Sequence, residues 1–140
     1  MIEKKIHIEQ IFESDINSIR QVEPIIYMVN RDFKMGDTML FNILIAATEA
    51  VNNAIVHGNK FDPDKKVNFE ISACSTQIEI WVKDQGEGFN PENVADPREP
   101  DNLLKSNGRG VFIIKELAND CVITSNPDGT TIYMKFILSN

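Results

Sequence analysis

The strongest constraint on the fold is that the strand-like segments arrive as hairpins. Residues 66–73 (KVNFEISA) and 77–83 (QIEIWVK) alternate apolar and polar side chains and are separated only by a turn at Ser75-Thr76. Alternation at period two gives each segment one apolar face, and so short a connection permits only antiparallel pairing. Residues 121–125 (CVITS) and 130–138 (TTIYMKFIL) form a second pair around Asn126-Pro127-Asp128-Gly129, a run of turn-forming residues. Residues 2–8 predict one more strand, with Ile2, Ile6 and Ile8 on one face and Lys5 and His7 on the other. Consecutive parallel strands need a long crossover, so the pattern argues against a doubly wound nucleotide fold.

The helical segments fall between these pairs. Ser14 or Asp15 can cap a helix to about Asn30, with Ile16, Ile19, Val22, Ile26 and Val29 near helical spacing and Pro24 placed to kink or split it. Asp37 or Thr38 caps a second helix from about Met39 to His57, closed by Gly58 at C′. Residues 110–118 (GVFIIKELA) predict a third. Residues 84–109 carry Pro91, Pro97, Pro100, Gly86, Gly88 and Gly108, and a mostly irregular stretch of that length in a compact domain is usually functional. The order β, α, α, β, β, loop, α, β, β predicts an α+β two-layer sandwich, with helices on one face of a mainly antiparallel mixed sheet.

Composition narrows the function. The chain has 140 residues, which suits one domain, residues 1–140. Lys and Arg number 14 against 21 Asp and Glu, a net charge of −7, which disfavours direct nucleic-acid binding. Cys74 and Cys121 are isolated, which fits a reduced cytosol and argues against a disulfide framework or structural zinc. The N-terminus has no apolar export segment, and no apolar run approaches the roughly 18 residues of a spanning helix. A cytoplasmic protein with no membrane contact is expected.

Four local features carry chemistry. Glu49 and Asn53 stand one turn apart on the second helix, away from the apolar stripe of Leu40, Ile43, Leu44, Ala47, Val51 and Ile55. Asp84-Gln85-Gly86-Glu87-Gly88 follows directly on an apolar strand. A carboxylate there can accept from an exocyclic amine, and the glycines allow close approach of a flat ligand. A simple turn or a calcium loop are the rival readings, the latter short of the acidic positions an EF-hand requires. Asn107-Gly108-Arg109-Gly110 precedes the third helix and can offer free N–H groups to phosphate, though no P-loop pattern is present. Gly129-Thr130-Thr131 opens the last strand.

Taken in this order, Glu49-x-x-x-Asn53-Ala54, Asp84-x-Gly86-x-Gly88, Gly108-x-Gly110 and Gly129-Thr130 resemble the ATP-binding domain of the GHKL superfamily of gyrase, Hsp90, histidine kinases and MutL. A lone domain with Glu49-Ala50-Val51-Asn52-Asn53-Ala54-Ile55-Val56-His57-Gly58 looks most like the anti-sigma factor serine/threonine kinases. Histidine kinases usually have Asn where Glu49 stands, and they need a helix bearing a phospho-accepting His.

The resemblance implies the Bergerat, histidine-kinase-like fold with a lid at about residues 90–109. It implies ATP and Mg²⁺ as cofactors, Asn53 as the Mg²⁺ ligand and Glu49 as catalytic base. Asp84 would accept from the adenine amine, supported by Thr130, with Thr131 a neighbouring candidate. Gly86 and Gly88 would close over the nucleotide, and Gly108, Arg109 and Gly110 would wrap its phosphates. Arg109 is open between phosphate, a partner and solvent, and His57 is read as a helix-end residue rather than a catalyst. The implied activity is phosphorylation of a STAS-type antagonist, with a sigma factor or another regulator sequestered in turn and a homodimer possible. The rival is a nucleotide-binding switch with little or no kinase activity.

Overall fold

The computed structural model describes residues 4–88 and 106–138. Five strands, β1 (Lys5–Glu13), β2 (Lys66–Cys74), β3 (Gln77–Lys83), β4 (Asp120–Asn126) and β5 (Gly129–Ile137), form one sheet in the order β1-β2-β3-β5-β4. Three helices, α1 (Val22–Asp32), α2 (Asp37–Asn53) and α3 (Ser106–Leu117), cover it. All four strand pairings are antiparallel, so the mixed character expected of the sheet does not occur among the described residues.

Register follows from burying one face. Ile8, Ile71, Ile80, Met134 and Cys121 stand opposite one another in a row across all five strands. The alternate residues of β2 and β3, among them Val67, Phe69, Ile71, Ile78 and Ile80, are fully buried. Phe12 and Phe69 stack with ring centroids 5.6 Å apart. The other face remains half-open, and there Trp81 and Tyr133 meet at 5.4 Å while the Tyr133 hydroxyl donates to Glu79 Oε2 at 2.6 Å.

α2 is the middle helix, between α1 and α3. Its sheet-side face is Ile43, Ala46, Ala47, Ala50 and Val51, all fully buried, and the three alanines let the helix sit close to its neighbours. With the π turn Ala54–Gly58 that continues it, this helix is 22 residues long, and its most apolar 18-residue window has a mean hydropathy of 1.5. By length and composition it passes for a membrane span, contrary to the expectation from sequence, because its inner face is the core of the domain.

Other expectations shift at the ends of elements. β1 runs over Lys5–Glu13 rather than 2–8, since pairing with all of β2 sets its length, and Ile2 lies outside the described residues. Pro24 does mark a split. A 3-10 helix (Ile16–Gln21) precedes α1, and Pro24 takes the third position of α1, where a missing N–H breaks no helical bond. Asp15 is the cap, its carboxylate accepting from Asn17 N at 2.8 Å. α2 is entered through Gly36 at φ 82° with no side-chain cap, so neither Asp37 nor Thr38 serves as one. Gly58 is not a left-handed C′ residue. The left-handed positions are Lys60 and Phe61, at φ 52° and 60°. α3 starts at Ser106, four residues before the helix expected from sequence, and most of the expected lid lies outside the described residues.

Candidate functional site

Asp84 follows the last residue of β3 and is the most constrained side chain in the region. It is buried beside the first residues of β5. Its Oδ1 accepts from Gly86 N at 2.9 Å and from Thr130 N at 3.0 Å, while its own N–H donates to Thr130 O at 2.9 Å. Oδ2 lies over Gly58, where a Cβ would be only 2.1 Å away, and among the described residues no donor reaches it. Burial pushes the Asp84 carboxyl above its usual range, an effect opposed by the Gly86 and Thr130 backbone hydrogen bonds and by the charge of Lys65.

A cavity of about 350 Å³ opens in front of this carboxylate. Asp84, Thr130 and Gly88 line it from the sheet, Asn53 and His57 from the end of α2, and Val111 from α3. Asn53 is 8% exposed and, among the described residues, its carboxamide has no hydrogen-bond partner, so it is available to a ligand. Burial holds the His57 imidazole below its ordinary pKa, which favours the neutral ring at neutral pH. The cavity thus has a hydrogen-bond acceptor from the strand end, an amide from the helix end and an apolar side chain from α3 in its lining. That is a lining for a flat, polar-edged molecule.

The glycines serve packing as much as ligand approach. A Cβ on Gly86 would stand 2.2 Å from Gly58 O, so the loop after β3 and the end of α2 touch through bare backbone. Gly88, at φ 85° and on the cavity wall, sits against Asn126 O.

Not every residue singled out from sequence converges on the cavity. Thr130 does, though its hydroxyl is engaged with Ser125 Oγ at 2.7 Å. Thr131, next along β5, alternates to the opposite face of the sheet and does not line the cavity. Gly108, Arg109 and Gly110 do not form a turn ahead of α3 but lie in its first turns, with Arg109 exposed and Gly110 buried. Glu49 is half-buried one turn before Asn53 and faces α3 rather than the cavity. A Cβ on Gly110 would stand 3.0 Å from Glu49 Oε2.

Sequence reasoning missed Asn59, Lys60, Asp62 and Lys65, which also line the cavity. They sit in a segment, Asn59-Lys60-Phe61-Asp62-Pro63-Asp64-Lys65, whose composition is that of an ordinary surface turn. The one available signal was a polar run placed directly after the helix that carries Asn53.

Residues 12–136 match the family model of the histidine kinase-like ATPase domain. The chain belongs to that family. An anti-sigma F factor of Clostridium perfringens strain 13 is 31% identical over 139 residues, covering 96% of both chains. An anti-sigma F factor of Oceanobacillus iheyensis is 33% identical over 105 residues, 71% of this chain and 70% of that one. The serine-protein kinase RsbW of the same organism is 30% identical over 99 residues, 66% of this chain and 62% of its own. Among solved structures, the RsbU and RsbW domains of a Mycobacterium tuberculosis protein superpose with a TM-score of 0.69 at 18% identity, over 98% of this chain and 32% of that one. The mycobacterial sensor histidine kinase MprB gives 0.56 at 16% identity, over 98% of both. These likenesses establish an ATP-binding fold of the histidine kinase type, close in sequence to anti-sigma factors.

Whether the residues present fit Mg²⁺ can be judged from the donor set. Among the described residues no group of three or more His, Cys, Asp or Glu side chains could hold an ion alone. Asn53 offers one amide oxygen to the cavity. Mg²⁺ keeps several waters and takes other ligands from nucleotide phosphates, so a single protein oxygen suits it.

Proposed function

We propose that the protein is a cytoplasmic serine/threonine kinase that uses Mg·ATP to phosphorylate a STAS-type antagonist protein, and that it sequesters a sigma factor or a similar regulator when the antagonist is not available. The observation that carries this reading is the Asp84 carboxylate. One oxygen is locked by two backbone N–H groups and the other is left for a ligand, in a cavity that Asn53 also lines. Support for the regulatory role comes from the anti-sigma F factors and RsbW to which the chain is similar.

In this reading Asp84 Oδ2 accepts from the adenine N6 amine, which discriminates adenine from bases with a carbonyl at that position. Val111 packs against the base, and Asn53 would hold Mg²⁺ through its amide oxygen. Mg²⁺, when bound, neutralises charge on the phosphates. The substrate hydroxyl oxygen attacks the γ-phosphorus, the bond from that phosphorus to the β–γ bridging oxygen breaks, and ADP leaves. Glu49 takes the hydroxyl proton. Gly108 lies in the first turn of α3, where free backbone N–H groups favour phosphate, while Gly110 sits one position beyond those free groups.

The test separates binding from transfer. Asn53→Ala is expected to lose Mg·ATP affinity, and unchanged affinity rejects the site. Glu49→Gln is expected to keep nucleotide and lose transfer of labelled phosphate to STAS-domain proteins of the same genome.

One observation favours a second reading, a nucleotide-binding switch with little or no kinase activity. The Glu49 carboxylate rests against Gly110 and not on the cavity wall. Equal transfer rates for the wild type and Glu49→Gln, or no transfer by either, would select it.

A further inference from the structure

A ring of hydrogen bonds behind the Asp84 end of the cavity has no part in the chemistry above. At its centre is Asn59, 1% exposed, immediately after the π turn that ends α2. Its Nδ2 donates to Ser14 Oγ at 2.9 Å and to Lys66 O at 3.0 Å, and its Oδ1 accepts from Gln85 N at 2.7 Å. Gln85 answers through its own side chain, Oε1 accepting from Lys66 N at 2.6 Å. Ser14, also buried, donates its hydroxyl to Lys65 O. One amide therefore ties together the end of β1, the segment after α2, the start of β2 and the residue that follows Asp84.

An amide buried this deeply costs stability unless every polar atom is matched, and here each is. A fully satisfied buried network fixes a single arrangement rather than merely holding mass together. What it fixes is informative. The Gln85 N–H belongs to the peptide that joins Gln85 to Asp84, and one residue further on Gly86 N supplies a hydrogen bond that orients Asp84 Oδ1. On the other side, the ring anchors a segment in which Lys60 and Phe61 adopt left-handed conformations that non-glycine residues hold only when their surroundings impose them. Both Lys60 and Lys65 of that segment line the cavity.

We propose that Asn59, braced by Ser14, is a positioning residue that sets the Asp84 carboxylate for the N6 amine of an adenine nucleotide. The proposal rests on the reading of Asp84 given above. Ser14 lies on no nucleotide-binding motif, yet it acts on base recognition through the Ser14–Asn59–Gln85 chain. Hydrogen-bond recognition tolerates misplacement of well under an ångström, so slackening this ring weakens the amine contact before it unfolds the domain.

The experiment compares the affinities of the full chain for ATP and for purine ribonucleoside triphosphate, which is ATP without the N6 amine. Wild-type protein should prefer ATP by about tenfold, the weight of one hydrogen bond. Asn59→Leu should bring that ratio close to one, the loss falling more heavily on ATP than on the analogue. Ser14→Ala, which removes only one hydroxyl, should narrow it partway. Asn59→Asp keeps the acceptor for Gln85 N and should retain more of the preference than Asn59→Leu. A merely structural role would lower the melting temperature, or both affinities together, and leave the ratio alone. Folded Asn59→Leu with the wild-type ratio overturns the proposal. If that variant does not fold, Ser14→Ala decides by the same criterion. Wild-type protein that binds both nucleotides equally overturns instead the reading of Asp84 on which the proposal rests.

Discussion

Replacing Asp84 in two ways separates its structural task from its binding task. Asp84→Ala removes the acceptor shared by Gly86 N and Thr130 N. Two buried N–H groups left unpaired cost about 1–3 kcal/mol each, so a loss of about 2–6 kcal/mol is expected. That is a large part of the roughly 5–15 kcal/mol that holds a domain of this kind together. Asp84→Asn keeps an oxygen in the same place and removes the buried charge, so its stability should lie within about 1 kcal/mol of the wild type. The pH dependence has a definite sign. Burial raises the folded-state pKa of Asp84 above its unfolded value, so the ionised group works against folding at neutral pH. As pH falls through the folded-state pKa the wild type sheds that penalty, and any advantage of Asp84→Asn should shrink. Urea unfolding at neutral pH and again in the acidic range measures both effects. Nucleotide binding should respond otherwise. With its oxygen held by the two N–H groups, the asparagine turns its NH₂ toward the adenine amine, and affinity for ATP should fall about ten- to a hundredfold in a protein that remains folded. Equal destabilisation by Ala and Asn would refute the account of Oδ1, and unchanged ATP affinity in Asp84→Asn would refute that of Oδ2.

Other expectations follow from single contacts. Gly58→Ala places a Cβ 2.1 Å from Asp84 Oδ2, and a lowered melting temperature together with weakened ATP binding should result. Gly110→Ala brings a Cβ to 3.0 Å from Glu49 Oε2, so phosphotransfer should fall several-fold while nucleotide affinity, measured by calorimetry, changes little. Tyr133 has its pKa pushed up to about 12 from 10.0 by burial and by its bond to Glu79. The unfolded phenol ionises first, so stability should decline as pH rises between those two values, and Glu79→Gln should move the alkaline absorbance transition of Tyr133 downward.

Much of the fold was legible because period-two alternation and short turns leave little choice. Strands β2 and β3 follow from KVNFEISA and QIEIWVK to within a residue. The ends of elements were less legible, since long-range pairing sets them. Nothing local in residues 2–13 says that β1 must match the whole of β2. At the site, Asn53, Asp84, Gly88 and Thr130 line one cavity from three separate stretches of chain. Thr131 lies off that cavity because strand alternation places neighbours on opposite faces. Asn59 was invisible because its partners, Ser14, Lys66 and Gln85, are brought together only by the folded sheet. Gly58 was read as a helix C′ residue and Gly86 as room for a flat ligand, whereas Gly58 is required by the Asp84 side chain packed against it and Gly86 by the Gly58 carbonyl.

The apolar character of α2 bears on how the protein is made. This helix and its π turn, Asp37–Gly58, are synthesised before every strand that covers their inner face except β1. At a ribosomal rate of about 5–20 residues per second, the chain from Gly58 to Ile137 takes about 4–16 s to appear. Through that interval a segment with the composition of a membrane span has no sheet to pack on. The inner face of α2 is therefore buried only once β2 to β5 close over it, which makes completion of the sheet the step that shelters this apolar segment.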